Sequence, residues 1–149
     1  MPDLTTDMLE FLDLLDRYEV EYLICGGHAV AFYGYVRMTM NLDILVKPEA
    51  ENAKKLRTAL SEFGFGDAGI PWDEFEKSGA AISIGVQPNQ IDLLTSVSDQ
   101  PTDEVFENSE WGELSGRSMR IIALGDLIYA KEKAGRTKDV LDLEELGKA

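Results

Sequence analysis

The chain has 149 residues, of which 44% are hydrophobic and 28% charged, the balance of an ordinary globular protein rather than a disordered one. This length fits one domain, and a chain of this size buries about 68–70% of its unfolded surface. Two large domains, a repeat array and a disulfide scaffold are excluded. A formal net charge of −14 disfavours long-range attraction to duplex DNA, RNA or an anionic membrane. A small anionic ligand held by a few local cations or by Mg²⁺ remains compatible with it. The sole cysteine, Cys25, lies in an apolar run and points to a reducing, cytoplasmic setting. The start Met1-Pro2-Asp3-Leu4 carries no leader pattern, and no run approaches the roughly 20 apolar residues that span a bilayer.

In chain order, Met8, Phe11, Leu12, Leu15 and Tyr18 recur at helical spacing and predict a helix over 5–18, capped by Thr5 or Thr6. A strand is expected over 20–25, ended by Gly26-Gly27, and then a short helix over about 28–34. Leu42 to Val46 predicts a second strand. Ala53, Leu56, Leu60 and Phe63 mark a helix over about 49–63. Gly64, Gly66 and Gly69 break the chain, and Pro71 to Phe75 fits one helical turn or a loop. Ala80 to Val86 and Gln90 to Thr95 read as a hairpin turning at Pro88-Asn89, which makes the sheet mixed. Residues 102–108 suit a helix, and 111–122 two small strands around Gly116. A helical segment over about 124–146 closes the chain, with a break expected at Gly135. The fold class is α/β (α+β), a small mixed sheet flanked by helices, as one domain over 1–149.

Four features can carry chemistry. Gly26-Gly27, between strand and helix, lets backbone approach a ligand closely and exposes helix N–H groups to a phosphate. The same pair also suits a plain tight turn. In Asn41-Leu42-Asp43, strand alternation puts Asn41 and Asp43 on one face and Leu42, Ile44 and Val46 on the other. An acid inside an apolar strand costs free energy unless it is wet, paired or metal-bound. Asp92 repeats the pattern in Gln90-Ile91-Asp92-Leu93-Leu94. If the two strands are neighbours, a divalent cation resolves the repulsion between the two carboxylates. The fourth feature is a set of cations in an acidic chain: Arg37, then Lys131, Lys133, Arg136 and Lys138. Lys138 and Asp142 stand four apart and also fit a simple pair on a solvated helix face. His28 is the only histidine, which excludes a multi-histidine zinc site. Phe32, Tyr33 and Tyr35 read as core or its edge.

These pieces, in this order, resemble the minimal nucleotidyltransferase superfamily, the polymerase-beta-like fold. The resemblance covers about residues 8–146. It rests on Tyr22-Leu23-Ile24-Cys25-Gly26-Gly27-His28-Ala29, on Gly34 to Val46 with Arg37, Asn41 and Asp43, on Ile91-Asp92-Leu93-Leu94, and on the closing Lys131 to Leu143. The chain looks similar to small bacterial nucleotidyltransferase-like proteins of abortive-infection and toxin–antitoxin systems. The resemblance implies that Gly26 and Gly27 cradle a nucleoside triphosphate, ATP by preference, with Arg37 and Lys131 on its phosphates. It implies Mg²⁺ on Asp43, Asp92 and Asn41, and transfer of a nucleoside monophosphate to a hydroxyl on a small molecule, a protein or an RNA end. Asp92 stands at the third-acid position and is the residue implied to assist deprotonation.

One position departs from the pattern. Asn41 stands where the family's first acid belongs, and its neutral amide cannot supply the missing charge. His28 stands where a small residue is usual. A weakened transferase and a non-catalytic, antitoxin-like protein that binds a toxin partner through the same fold are therefore both expected alternatives.

Overall fold

The computed structural model describes residues 3–65 and 69–147. Helix α1 (Thr6–Arg17) leads to strand β1 (Tyr22–Cys25), helix α2 (Gly26–Phe32), strand β2 (Asn41–Val46) and helix α3 (Ala50–Phe63). A 3-10 turn over Trp72–Glu76 precedes β3 (Ala81–Ile84) and β4 (Gln90–Leu94). Then come α4 (Thr102–Asn108), β5 (Glu110–Leu114), β6 (Arg117–Ile121), α5 (Leu124–Ala134) and α6 (Thr137–Leu146). Gly66, read above as part of a chain break, lies outside the described residues.

The strands form one sheet in the order β3-β4-β2-β1-β6-β5. Its pairings are mixed: β1 runs antiparallel to β2, and β2 parallel to β4. β3 and β4, and likewise β5 and β6, form antiparallel pairs. All four residues of β1 are buried, as are Leu42 and Ile44 to Val46 of β2, so the central strands carry apolar runs with both faces covered. Helix α1 packs on α3, with the Phe11 and Phe63 rings 5.1 Å apart. Helix α2 touches β1, β2 and α5, and α5 packs on α6.

Local chemistry accounts for the boundaries. Thr5, rather than Thr6, caps α1 by accepting a hydrogen bond from Met8 N at 3.2 Å. Helix α2 starts two residues earlier than expected, at Gly26 itself. The closing helical segment is two helices, because Gly135 takes φ +61° and its N–H closes on Lys131 O at 3.1 Å. The chain re-enters a helix at Thr137, where Arg136 and Asp139 cap each other. One clamp has no apolar signature. Buried Asn52 accepts from Glu21 N at 2.7 Å and donates to Glu21 O and Lys47 O, tying the start of β1 to the end of β2. No described helix is long and apolar enough to cross a membrane.

Candidate active site

The parallel β2–β4 ladder sets Asp43 directly opposite Asp92, and Asn41 opposite Gln90. Both carboxylates therefore stand on one face of adjacent strands. Asn41 lies between them: its Nδ2 donates to Asp43 Oδ1 at 2.9 Å and to Asp92 Oδ2 at 2.7 Å. Asp92 Oδ1 also accepts from Ser83 Oγ at 2.6 Å and from Gln90 Nε2 at 2.9 Å. Each acid thus has an amide two residues before it on its own strand. That repeat, Asn-Leu-Asp and Gln-Ile-Asp, was present in the sequence as a signal for Gln90. Ser83 comes from the neighbouring strand and gave none.

The two acids titrate apart. Burial, the Asp92 charge and a hydrogen bond with Asp92 push the Asp43 carboxyl up from 3.8 to about 7. Burial also opposes the charge on Asp92, but hydrogen bonds from Ser83, Gln90, Asp43 and Asn41 outweigh it and hold Asp92 below the ordinary value. The pair therefore shares one proton, carried by Asp43, below neutral pH. Between pH 4 and 7 the folded protein keeps a proton that the unfolded chain has released. The pair's contribution to stability should accordingly fall as pH rises through that window and level off above about 7, opposed by buried His28, whose lowered pKa favours folding as pH rises toward 6.5. A divalent ion held by the two carboxylates would have to displace the same proton. Mn²⁺ affinity measured from pH 5.5 to 8.5 should weaken by about tenfold per unit below pH 7 and be flat above it. An affinity independent of pH would show that the carboxylates are not coupled.

Gly26 and Gly27 bound the site from the other side. Gly26 has φ +65°, and a Cβ built on it would lie 1.8 Å from Asp43 Oδ2. A Cβ on Gly27 would lie 2.8 Å from Thr39 Cγ2 and 3.4 Å from Arg37 Nη1. Both glycines are thus required by close approach to site side chains, beyond the needs of a turn.

A cleft of about 650 Å³ opens over these groups. Its walls hold both glycines, Asn41, Asp43 and Asp92, together with Arg37, Lys131, Lys133, Arg136 and Lys138. Five of the chain's 14 Lys and Arg residues converge there, in a protein of net charge −14. A larger hollow of about 940 Å³, walled by α4 and β6, contains none of the strand acids. Among the described residues, no group of three or more His, Cys, Asp or Glu side chains is placed to hold a metal ion. Into the cleft the two strands bring the Asp43 and Asp92 carboxylates and the Asn41 amide.

The cations are more committed than the sequence indicated. Lys131 is buried, with Nζ 3.1 Å from Asp139 Oδ1 and 3.0 Å from Asp142 Oδ2. Arg37 grips Asp142 with Nε at 2.8 Å and Nη2 at 2.9 Å. The solvated Lys138–Asp142 pair expected from helical spacing is therefore replaced: Asp142 is buried and held by Arg37 and Lys131. His28 is buried, with no partner for Nε2 among the described residues, and burial, then the Arg37 charge, lowers its pKa.

The sequence pattern of the aminoglycoside-2''-adenylyltransferase family matches residues 7–146. No curated protein matches the chain. Three solved structures share its fold. The antibiotic-resistance factor ANT(2'')-Ia, in solution, aligns over 95% of this chain and 80% of its own, with TM-score 0.64 and 14% identity. A nucleotidyltransferase-like protein of Thermotoga maritima aligns over 95% and 91%, with TM-score 0.61 and 14% identity. The lincosamide antibiotic adenylyltransferase LnuA, in its lincomycin-bound form, aligns over 97% and 98%, with TM-score 0.54 and 14% identity. The mixed sheet flanked by helices is the nucleotidyltransferase fold. With the family pattern spanning all but the ends of the chain, this protein belongs to the aminoglycoside-2''-adenylyltransferase family, within the polymerase-beta-like nucleotidyltransferases.

Proposed function

We propose that the protein transfers a nucleoside monophosphate from a nucleoside triphosphate, ATP by preference, to a hydroxyl of a small polar acceptor, in a Mg²⁺-dependent and slow reaction. The observation that carries this reading is the Asp43–Asp92 pair beneath the Gly26-Gly27 turn, inside a cation-rich cleft. The donor set fits Mg²⁺ in one particular way. Asp43 and Asp92, with the carbonyl oxygen of Asn41, provide oxygen ligands carrying two negative charges, and the triphosphate would complete the set. Asn41 would have to turn its amide, because Nδ2 now faces both carboxylates.

When bound, Mg²⁺ would lower the pKa of the acceptor hydroxyl and offset charge on the α-phosphoryl oxygens. The chain's own residues divide the remaining work. Gly26 and Gly27 give the triphosphate a close approach to backbone, and Arg37 and the α5–α6 cations face its charge. In the reaction a bond forms between the acceptor oxygen and the α-phosphorus while the bond to pyrophosphate breaks. The hydroxyl proton passes to the carboxylate pair. Asp92 is well fixed as a ligand by Ser83, Gln90 and Asn41, but those bonds make it a weak proton acceptor. In the metal-free protein Asp43, pushed up to about 7, is the stronger acceptor; a bound Mg²⁺ would lower that proton affinity, as the competition for the same proton requires.

The small-molecule acceptor is supported by the family pattern and by the lincomycin-bound relative. A protein or RNA-end acceptor has no comparable support. A second reading, a non-catalytic protein that binds a toxin-like partner through the same fold, is favoured by one observation: Asn41 meets both acids with an amide donor, where it adds no third carboxylate. A transfer assay separates the two. With α-labelled ATP, Mg²⁺ and a panel of hydroxyl-bearing aminoglycosides and lincosamides, label should move slowly to at least one acceptor. EDTA and Asp43→Asn should each abolish the transfer. No transfer at stoichiometric protein, with any triphosphate, would leave the partner-binding reading.

A further inference from the structure

Three cations and two acids near the cleft form one connected group. Arg37 reaches it from the segment before β2, Lys131 from α5, and Arg136 from the α5–α6 junction. Asp139 and Asp142 both come from α6. The two carboxylates are almost fully removed from solvent, at 0% and 1% side-chain exposure. Lys131 Nζ stands between them. Arg136 holds Asp139 through Nε at 2.7 Å and Nη2 at 3.2 Å. The hydrogen bond to Asp142 raises the Arg37 pKa further, so that guanidinium is always charged.

Asp139 lies in the first turn of α6 and Asp142 in its middle, and of the two only Asp142 is bonded by Arg37. The Arg37 fork uses Nε and Nη2 on Asp142. That leaves Nη1 on the far side, donating to Met38 O at 3.3 Å and lying 3.4 Å from the position a Cβ on Gly27 would take, beside the glycine turn. A guanidinium has five N–H donors in a fixed plane, so anchoring one edge fixes the direction of the other. Summed over the five side chains, three positive charges face two negative ones. The group therefore presents a surplus positive charge to the cleft.

We infer that Asp142 is a positioning residue for the triphosphate: it locks one edge of Arg37 so that Nη1 is aimed at the glycine turn, where phosphate oxygens would lie. This rests on the nucleotide reading above and adds to it a role for α6. Asp139 in turn holds Lys131 and Arg136. A lysine at position 37 would keep the charge and lose the geometry, since one nitrogen cannot both hold Asp142 and reach the turn.

The test measures binding of inorganic tripolyphosphate by calorimetry, with Mn²⁺ affinity in its absence as a second readout. Asp142→Asn and Arg37→Lys should each weaken tripolyphosphate about tenfold while leaving Mn²⁺ affinity unchanged, because Asp43 and Asp92 are untouched. In the double variant the losses should not add, since both act through one fork. A merely structural role for Asp142 would lower melting temperature without that pattern. Arg37→Lys leaves Asp142 paired with Lys131, so it keeps the test open should Asp142→Asn fail to fold. Full affinity in Arg37→Lys, or additive losses, would overturn the inference while the nucleotide reading stands. Failure of the unsubstituted protein to bind tripolyphosphate or Mg²⁺–ATP would overturn both.

Discussion

Asn41→Asp is expected to lower the stability of the metal-free protein and to raise its affinity for Mg²⁺. The amide of Asn41 now donates to both carboxylates. An aspartate there removes both bonds and adds a third negative charge. Hydrogen bonds to charged groups are each worth about 1.5–3 kcal/mol. Position 41 is only half-buried and the new acid can take up a proton, so a net loss of about 2 kcal/mol is expected. For a chain of this size that lowers the melting temperature by about 6 °C. Mg²⁺ should reverse the loss, because an ion that binds only the folded state stabilises it by mass action. The third carboxylate should tighten Mg²⁺ about tenfold, roughly 1.4 kcal/mol, and speed nucleotidyl transfer. Thermal-shift titration of both forms with Mg²⁺ and ATP, followed by the transfer assay, checks each part. Equal metal affinity and equal turnover in the two forms would mean that the amide does not limit the site.

Gly26→Ala should be the most damaging single methyl group in the molecule. The backbone there is left-handed at φ +65°, which costs an ordinary residue about 1–2 kcal/mol. The new carbon would also fall 1.8 Å from Asp43 Oδ2, so the carboxylate has to leave its position opposite Asp92. Mg²⁺-dependent nucleotide affinity should drop by about 100-fold or more, equivalent to roughly 2.7 kcal/mol. Gly116→Ala is the matched control. It has φ +77° in the β5–β6 turn, with no atom of the described residues within 4 Å of the added carbon. It should lose stability through backbone strain alone and bind nucleotide normally. Equal nucleotide affinity in the two variants would contradict the role given to the Gly26 turn.

The site was legible where its chemistry conflicted with local pattern. Asp43 and Asp92 each interrupt an apolar strand, and that conflict marks them as candidates without any knowledge of strand pairing. The parallel register then placed them opposite each other. Gly135 was legible for a similar reason, as a helix-breaking residue inside a helical period. What stayed hidden depends on groups distant in sequence. Asp142 looks like a partner for Lys138 on a solvated face, since helical spacing sees only its own helix. Its partners are Lys131 on α5 and Arg37, which lies 105 residues away. The Asn52 clamp was equally hidden, because a polar residue beside an apolar stripe gives no sign of the two strand ends it joins. The glycine turn was read only in part. The sequence offered a phosphate cradle or a tight turn, and the close approaches to Asp43 and Thr39 emerge from tertiary packing.

The central claim is that nucleotide and metal bind together over Asp43 and Asp92. Calorimetric titration of the unsubstituted protein with ATP at pH 8, with and without Mg²⁺, tests it most directly. At that pH the Asp43 proton has been released. The account predicts saturable binding with Mg²⁺ that weakens at least tenfold without it, and the Mg²⁺-dependent gain should vanish in Asp43→Asn. ATP binding of equal strength with and without Mg²⁺, or no binding under either condition, would contradict it.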